Sequence, residues 1–257
     1  MELVEYHVQN RIGFITLNRP EKRNALSYEL VADLKEAFAH AEHDNEVKVV
    51  VLKANGEAFC AGADLTYLQQ LQKFSFEENL QDSNHLKELF LKIYTHPKVV
   101  IAQVQGHALA GGCGLATVCD FTYSVPEAKF GYTEVKIGFI PAIVTVFLLR
   151  KIGEAKSKEM LLSGDLISAE QACQIGLIHK IVTREKLDQE VNNLAMKLAN
   201  ENSGQSMKLT KQMIARVQAE SIVDALNYAA EMNARARGTD DCKRGVAAFL
   251  NKEKLSW

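Results

Sequence analysis

Two short glycine-containing stretches hold the residues of this 257-residue chain best suited to chemistry. Asn55-Gly56-Glu57-Ala58-Phe59-Cys60-Ala61-Gly62-Ala63-Asp64-Leu65 follows the apolar run at residues 49–54, and Gly106-His107-Ala108-Leu109-Ala110-Gly111-Gly112-Cys113-Gly114-Leu115 follows the run at 99–104. Side chains this small let a substrate reach main-chain N–H groups. Two such loops side by side can aim two donors at one oxygen, forming an oxyanion hole. Small residues also let helices pack tightly, and spacing alone leaves both readings open.

The second stretch faintly mimics a dinucleotide fingerprint, with Gly112-x-Gly114-x-x-Thr117 and Glu134 about 20 residues further on. The third glycine is missing, and Asp120 cuts the apolar helix short. No G-x-x-x-x-G-K-[ST] loop exists anywhere in the chain, so nucleotide hydrolysis has no support.

The elements that must position these loops are legible as alternating patterns. Residues 11–18 read as a strand ending before Pro20. A helix is predicted from Ser27 through His43, with Leu30, Leu34, Ala37, Phe38 and Ala41 on one face. Residues 48–54 form a β-branched run, the sign of a strand buried on both faces. Residues 76–96 read as a helix closed by Pro97, and 99–104 as a second buried strand. Strand–helix–strand repetition implies parallel strands with crossover helices, in open sheets of which ligands sit beyond the carboxyl ends of strands. After about residue 142 helix follows helix, one opened by a capping box at Ser168 to Gln171. The expected organisation is a core at 1–195 carrying the site and a helical region at 196–257.

Composition narrows the class. The chain is 47% hydrophobic and 24% charged, ordinary for a globular domain. Thirty Lys and Arg against 32 Asp and Glu leave a formal charge of −2, without the basic surplus that marks nucleic-acid binding. No stretch approaches the roughly 20 apolar residues of a membrane helix. The N-terminus lacks the basic and apolar regions of a signal peptide. Five scattered cysteines without a C-x-x-C pair read as free thiols, so a cytoplasmic location is expected. Seven scattered histidines show no zinc-site spacing, and no metal is expected.

The chain resembles the enoyl-CoA hydratase/isomerase (crotonase) superfamily nearly end to end. The resemblance is carried by Leu17-Asn18-Arg19-Pro20 with Asn24-Ala25-Leu26, by Phe59 to Leu65, by Ala110 to Ala116 with Cys119-Asp120, by Phe130-Gly131-Tyr132-Thr133-Glu134-Val135-Lys136-Ile137-Gly138-Phe139-Ile140-Pro141, and by Gly164 to Ala169, in order and at the family's spacing. It implies an α/β fold, a crotonase-like (ββα)n spiral core with a helical C-terminal trimerisation region. The partners it implies are an acyl-CoA thioester and further copies of the chain, as a homotrimer or dimer of trimers. No separate cofactor is implied, since coenzyme A enters as part of the substrate.

By resemblance, Ala61 and Gly111 supply the oxyanion-hole N–H groups. Ala25, Gly62, Ala63 and Asp64 match positions lining the coenzyme A groove, and Phe249 and Lys252 match positions that reach its adenine and phosphate end. Glu134 matches the second of the two glutamates that hold water in hydratases of the family. Where the first would stand, twenty residues earlier, this chain has Gly114. Tyr132, Tyr67, His107 and His85 are weaker candidates for the missing acid, and Lys136 or Arg150 for pairing with a substrate carboxylate.

A lone second glutamate also fits double-bond isomerases, and a non-catalytic acyl-CoA-binding homologue is a further alternative. The segment from Glu134 to Val144, with Pro141-Ala142 before β-branched residues, looks more like the methylglutaconyl-CoA hydratase-like branch. The resulting expectation is reversible hydration of a 2-enoyl-CoA, branched in its acyl chain, with Glu134 exchanging the proton. Loss of the first carboxylate is expected to enlarge the pocket.

Overall fold

A computed structural model describes residues 1–257. The chain forms β1 (Val4–Gln9), β2 (Ile12–Leu17), α1 (Tyr28–His43), β3 (Val49–Ala54), α2 (Leu65–Leu71), α3 (Phe76–Tyr94), β4 (Val99–Val104), β5 (Ala108–Leu109), α4 (Gly111–Val118), β6 (Phe121–Ser124), β7 (Lys129–Gly131), α5 (Ala142–Ser163), β8 (Ile167–Ser168), α6 (Ala169–Gln174), β9 (Lys180–Ile181), α7 (Arg184–Glu201), α8 (Gly204–Val217), α9 (Ile222–Arg237) and α10 (Asp240–Leu250). One sheet orders its strands β1-β2-β3-β4-β6-β9. Its first pair is antiparallel and the others parallel. A second sheet orders its strands β5-β7-β8, and an isolated parallel bridge between Cys60 and Ala108 joins β5 to the loop after β3. This is the mixed α/β architecture expected.

The strongest sequence patterns become the central elements. β2 and β4 are buried along their whole length and β3 over its first four residues, as β-branched runs covered on both faces should be. Ser27 caps α1 by accepting the Leu30 N–H, and Leu30, Leu34, Ala37, Phe38 and Ala41 are the face it buries. The capping box at Ser168 and Gln171 opens α6. The helix expected at 76–96 stops at Tyr94, leaving His96 to turn inward.

The expected boundary after residue 195 falls inside α7. That helix packs on β2, β3, β4 and β6 and buries Leu187, Val191, Ala195 and Ala199 against them. The change in character comes after Asn202. There α8, α9 and α10 bury almost no side chains of their own except Lys211, Met232 and Ala248. Lys211 pins α8 to the core: its ammonium meets Asp120 Oδ2 at 2.7 Å and donates to the carbonyls of Ile93 and Lys98, both at 3.2 Å. Its burial is tolerated because each of its donors has a partner. Asp120 in turn accepts the Val100 N–H, which joins the β4 start to the end of α4.

Candidate active site

The first loop is fastened by Asn24. Its buried side-chain amide donates to the carbonyls of Asn55 and Ala58, at 2.9 and 3.0 Å, and its Oδ1 accepts the Arg19 N–H. Leu26 then pairs with the loop from both sides: its N–H donates to the Gly62 carbonyl at 2.7 Å, and its carbonyl accepts the Asp64 N–H at 2.9 Å. In such an extended pairing successive residues face opposite ways. Ala63, between the two, therefore turns its N–H away from Leu26, and no carbonyl accepts it.

Ala61 behaves differently from expectation. Its N–H donates to the Arg23 carbonyl at 3.0 Å and is consumed there. The available donor of this loop is Ala63, two residues on. Asp64, expected in the coenzyme groove, is also engaged within the protein. Its carboxylate caps α2 through the Thr66 and Tyr67 N–H groups and pairs with Arg19 Nη2 at 2.9 Å. Burial alone would raise the Asp64 pKa, but these donors outweigh it and hold the carboxyl below its usual range.

The second loop is zipped to the first. The N–H groups of Phe59 and Cys60 donate to the His107 carbonyl at 3.1 and 3.2 Å, and the Leu109 N–H donates to the Cys60 carbonyl at 3.0 Å. A Cβ on Gly112 would lie 2.2 Å from the Cys60 oxygen, so only glycine permits this approach. Ala110 holds φ 48° and ψ −124°, a backbone strain of the kind that clusters at functional sites. Its own N–H donates to the Gly131 carbonyl at 2.8 Å.

That turn starts α4 at Gly111, whose N–H has no intrahelical acceptor and lies at the positive end of the helix dipole. The Gly111 nitrogen is 3.6 Å from where a Gly62 Cβ would stand. The free donors of Ala63 and Gly111 thus belong to backbones in direct contact, as the oxyanion reading requires.

Glu134 opens a 3-10 turn, Glu134–Ile137, directly after β7. Its side chain is half-buried, and Oε2 is enclosed with no hydrogen-bond partner. Burial raises its pKa above the ordinary 4.5, only partly opposed by its own N–H. Its segment is tied to α4 just upstream of it: the Gly131 carbonyl accepts the Ala110 N–H at 2.8 Å, and the Tyr132 hydroxyl meets Thr117 Oγ1 at 2.8 Å. An enclosed, unpartnered carboxylate oxygen of raised basicity is equipped to exchange a proton with a bound substrate.

Gly114 does not enlarge the pocket. A Cβ there would meet Val144 Cγ1 at 2.4 Å and Phe90 Cε1 at 2.8 Å, so hydrocarbon from α5 and α3 already fills the space a side chain would take. Phe90 is fully buried and stacks on Phe147, with 6.3 Å between ring centroids.

The other candidates have separate tasks. His107 accepts the Lys129 N–H, Tyr67 donates to Asp82, His85 stacks on Tyr28, Lys136 pairs with Asp165 at 2.9 Å, and Arg150 donates to the Val146 carbonyl. Ala25 is buried, its carbonyl accepting from Arg19. Phe249 and Lys252 are exposed and are not brought to the loops. Helix α10 packs on α8 and α9, and Trp257 ties the C-terminal segment to Asn200 and Arg11, where β2 begins. The two loops leave the opposite end of the sheet. Tyr132, named as a candidate acid, is fully buried with its hydroxyl on Thr117; what sequence reasoning missed is Ala63 as the open amide and Thr117 as the partner of Tyr132. Each depends on a partner distant in sequence.

A model of the family described as enoyl-CoA hydratase/isomerase matches residues 7–257. A relative from Thermus thermophilus is 41% identical over 244 residues, spanning 95% of this chain and 96% of its own. The mitochondrial enoyl-CoA hydratase of Pongo abelii is 35% identical, covering 96% of this chain and 84% of its own. The crystal structure of a Mycobacterium smegmatis enoyl-CoA hydratase superposes with a TM-score of 0.93 at 31% identity, covering 99% of this chain and 98% of its own. With loops, helix terminus and carboxylate arranged as described, and this likeness running along the whole chain, the protein belongs to the enoyl-CoA hydratase/isomerase (crotonase) family.

Proposed function

We propose that the protein adds water reversibly to the double bond of a 2-enoyl-CoA thioester. The thioester oxygen sits between the N–H groups of Ala63 and Gly111, and Glu134 exchanges the proton. The observation that carries this reading is the enclosed, unpartnered Oε2 of Glu134, three residues after the Gly131 carbonyl that holds the turn presenting Gly111. Attack by water on the enoyl chain builds negative charge on the thioester oxygen, and fixed amide dipoles stabilise it without reorganising. One positioned acid–base group contributes about 10²–10⁴-fold. Relatives carrying the name enoyl-CoA hydratase support the reaction class. Coenzyme A enters as part of the substrate, and no further cofactor is needed.

A branched, 3-methylglutaconyl-like acyl chain is proposed from the Glu134 to Val144 segment. Val144 and Phe90 offer an apolar wall where other hydratases of the family carry a second acid. The same filling favours one rival reading, double-bond isomerisation, because a single carboxylate with no second acid at the Gly114 position can carry a proton between two substrate carbons without water. Hydration of crotonyl-CoA and 3-methylglutaconyl-CoA, followed by loss of the enoyl chromophore and by product mass, separates the two. A gain of 18 mass units supports hydration, and conversion of a 3-enoyl to a 2-enoyl ester without mass change supports isomerisation.

The assembly is proposed to be a homotrimer or a dimer of trimers. Ile222, Val223 and Leu226 on α9 and Val246, Phe249 and Leu250 on α10 expose apolar surface that an interface would cover. Phe249 and Lys252, set apart from this chain's own loops, would serve the coenzyme end of a neighbouring subunit's site. The free cysteines fit a cytoplasmic location.

A further inference from the structure

Tyr132 is fully buried two residues before Glu134, and its hydroxyl meets Thr117 Oγ1 at 2.8 Å. Thr117 spends its single hydroxyl proton on the Cys113 carbonyl, one turn earlier on α4, at 2.9 Å. The proton of the shared bond therefore comes from Tyr132, with Thr117 accepting. Burial holds the Tyr132 hydroxyl far from ionisation, so it remains a donor throughout the working pH range. The Cys113 thiol lies beside the same hydroxyl. Beside the backbone bond from Ala110 to the Gly131 carbonyl, this side-chain bond joins the backbone that carries Glu134 to the body of the helix that begins at Gly111.

We propose that Tyr132 is a positioning residue which, through Thr117, fixes the Glu134 carboxylate relative to the Gly111 N–H. The proposal rests on the reading of Glu134 as the proton-exchanging group. The amide and the carboxylate must act on atoms of one substrate, and a displacement of about 1 Å between such groups can cost about 10²-fold. Apolar packing fills the volume around the Tyr132 ring but tolerates sliding. The directional bond to Thr117 does not.

Tyr132→Phe and Thr117→Val each delete the bond while keeping shape, and Thr117→Ser keeps it. The expected result is about a tenfold fall in kcat for Tyr132→Phe and for Thr117→Val. KM, thermal midpoint and affinity for a saturated acyl-CoA should stay within twofold of wild type, and Thr117→Ser should retain wild-type turnover. The double variant should fall no further than either single one, because the two residues act as one unit. Wild-type kcat in Tyr132→Phe, or single losses that multiply in the double variant, would overturn the proposal. If Tyr132→Phe fails to fold, the contrast between Thr117→Val and Thr117→Ser decides. Glu134→Gln, assayed in parallel, keeps the two levels apart: full turnover there defeats the assignment of Glu134, whereas loss there with wild-type Tyr132→Phe defeats the positioning role alone.

Discussion

A Cβ on Gly114 would stand 2.4 Å from Val144 Cγ1, so the place of a second carboxylate is occupied by a methyl group. Gly114→Glu should therefore fail to restore a two-glutamate site. Overpacking together with an unpaired carboxylate among Val144 and Phe90 should lower stability by about 3 kcal/mol or more. Val144→Ala in the same chain should recover part of that loss. Urea denaturation of the single and double variants checks both, and a Gly114→Glu protein as stable as wild type would show that the wall yields.

Arg19 holds Asp64 from a position largely shielded from water. Arg19→Met should leave that carboxylate without its guanidinium and cost about 2 kcal/mol. KM for acyl-CoA should rise as the loop carrying Ala63 loosens. The pH dependence follows from the depressed Asp64 pKa. Its contribution is complete above the unfolded carboxylate value and is lost as pH falls toward the lower folded value, because the unfolded chain takes up the proton first. Equilibrium denaturation between neutral and acid pH should show a shallower acid decline for Arg19→Met than for wild type.

His96 is buried and neutral. Its Nδ1 accepts the Lys98 N–H and its Nε2 donates to the Phe38 carbonyl, both at 3.2 Å. Burial, with Lys211 nearby, lowers its pKa from 6.5 to about 4. The unfolded chain binds this proton at higher pH than the folded one, so stability is complete above 6.5 and declines by up to about 1.4 kcal/mol per pH unit toward 4. His96→Gln should lower stability at pH 7 and flatten the curve between those values. An unchanged slope in that window would assign the acid sensitivity elsewhere.

The amides of Ala61 and Ala63 can be told apart by backbone amide-to-ester exchange in a semisynthetic protein. Removing the Ala63 N–H should lower kcat about 10²–10³-fold with little effect on folding. Removing the Ala61 N–H should instead cost about 1 kcal/mol of stability, since that amide holds the Arg23 carbonyl. The reverse pattern would return the donor role to Ala61.

These cases also mark how far the sequence could be read. The buried strands at β3 and β4, the α1 face and the α6 capping box follow from local pattern, and the structure reproduces them nearly to the residue. Glu134 and Gly111 were legible because each lies inside a motif of fixed spacing. The choice between Ala61 and Ala63 was not, because Arg23 and Leu26 decide which amide is free, and both lie more than a helix away in sequence. The filling of the Gly114 site was hidden for the same reason, since Val144 and Phe90 come from two other helices. β5, β7 and β8 are too short for a period-2 pattern to register.

If Glu134 exchanges the proton in enoyl-CoA hydration, as proposed, the kinetics of Glu134→Gln against wild type must show it. Wild-type kcat/KM for crotonyl-CoA should fall on the acid side with a midpoint above 4.5, because burial raises the carboxyl pKa and only the ionised form takes a proton from water. Glu134→Gln should lose about 10²-fold or more of kcat, keep its affinity for a saturated acyl-CoA and show no acid limb. Hydration by Glu134→Gln at the wild-type rate would contradict it.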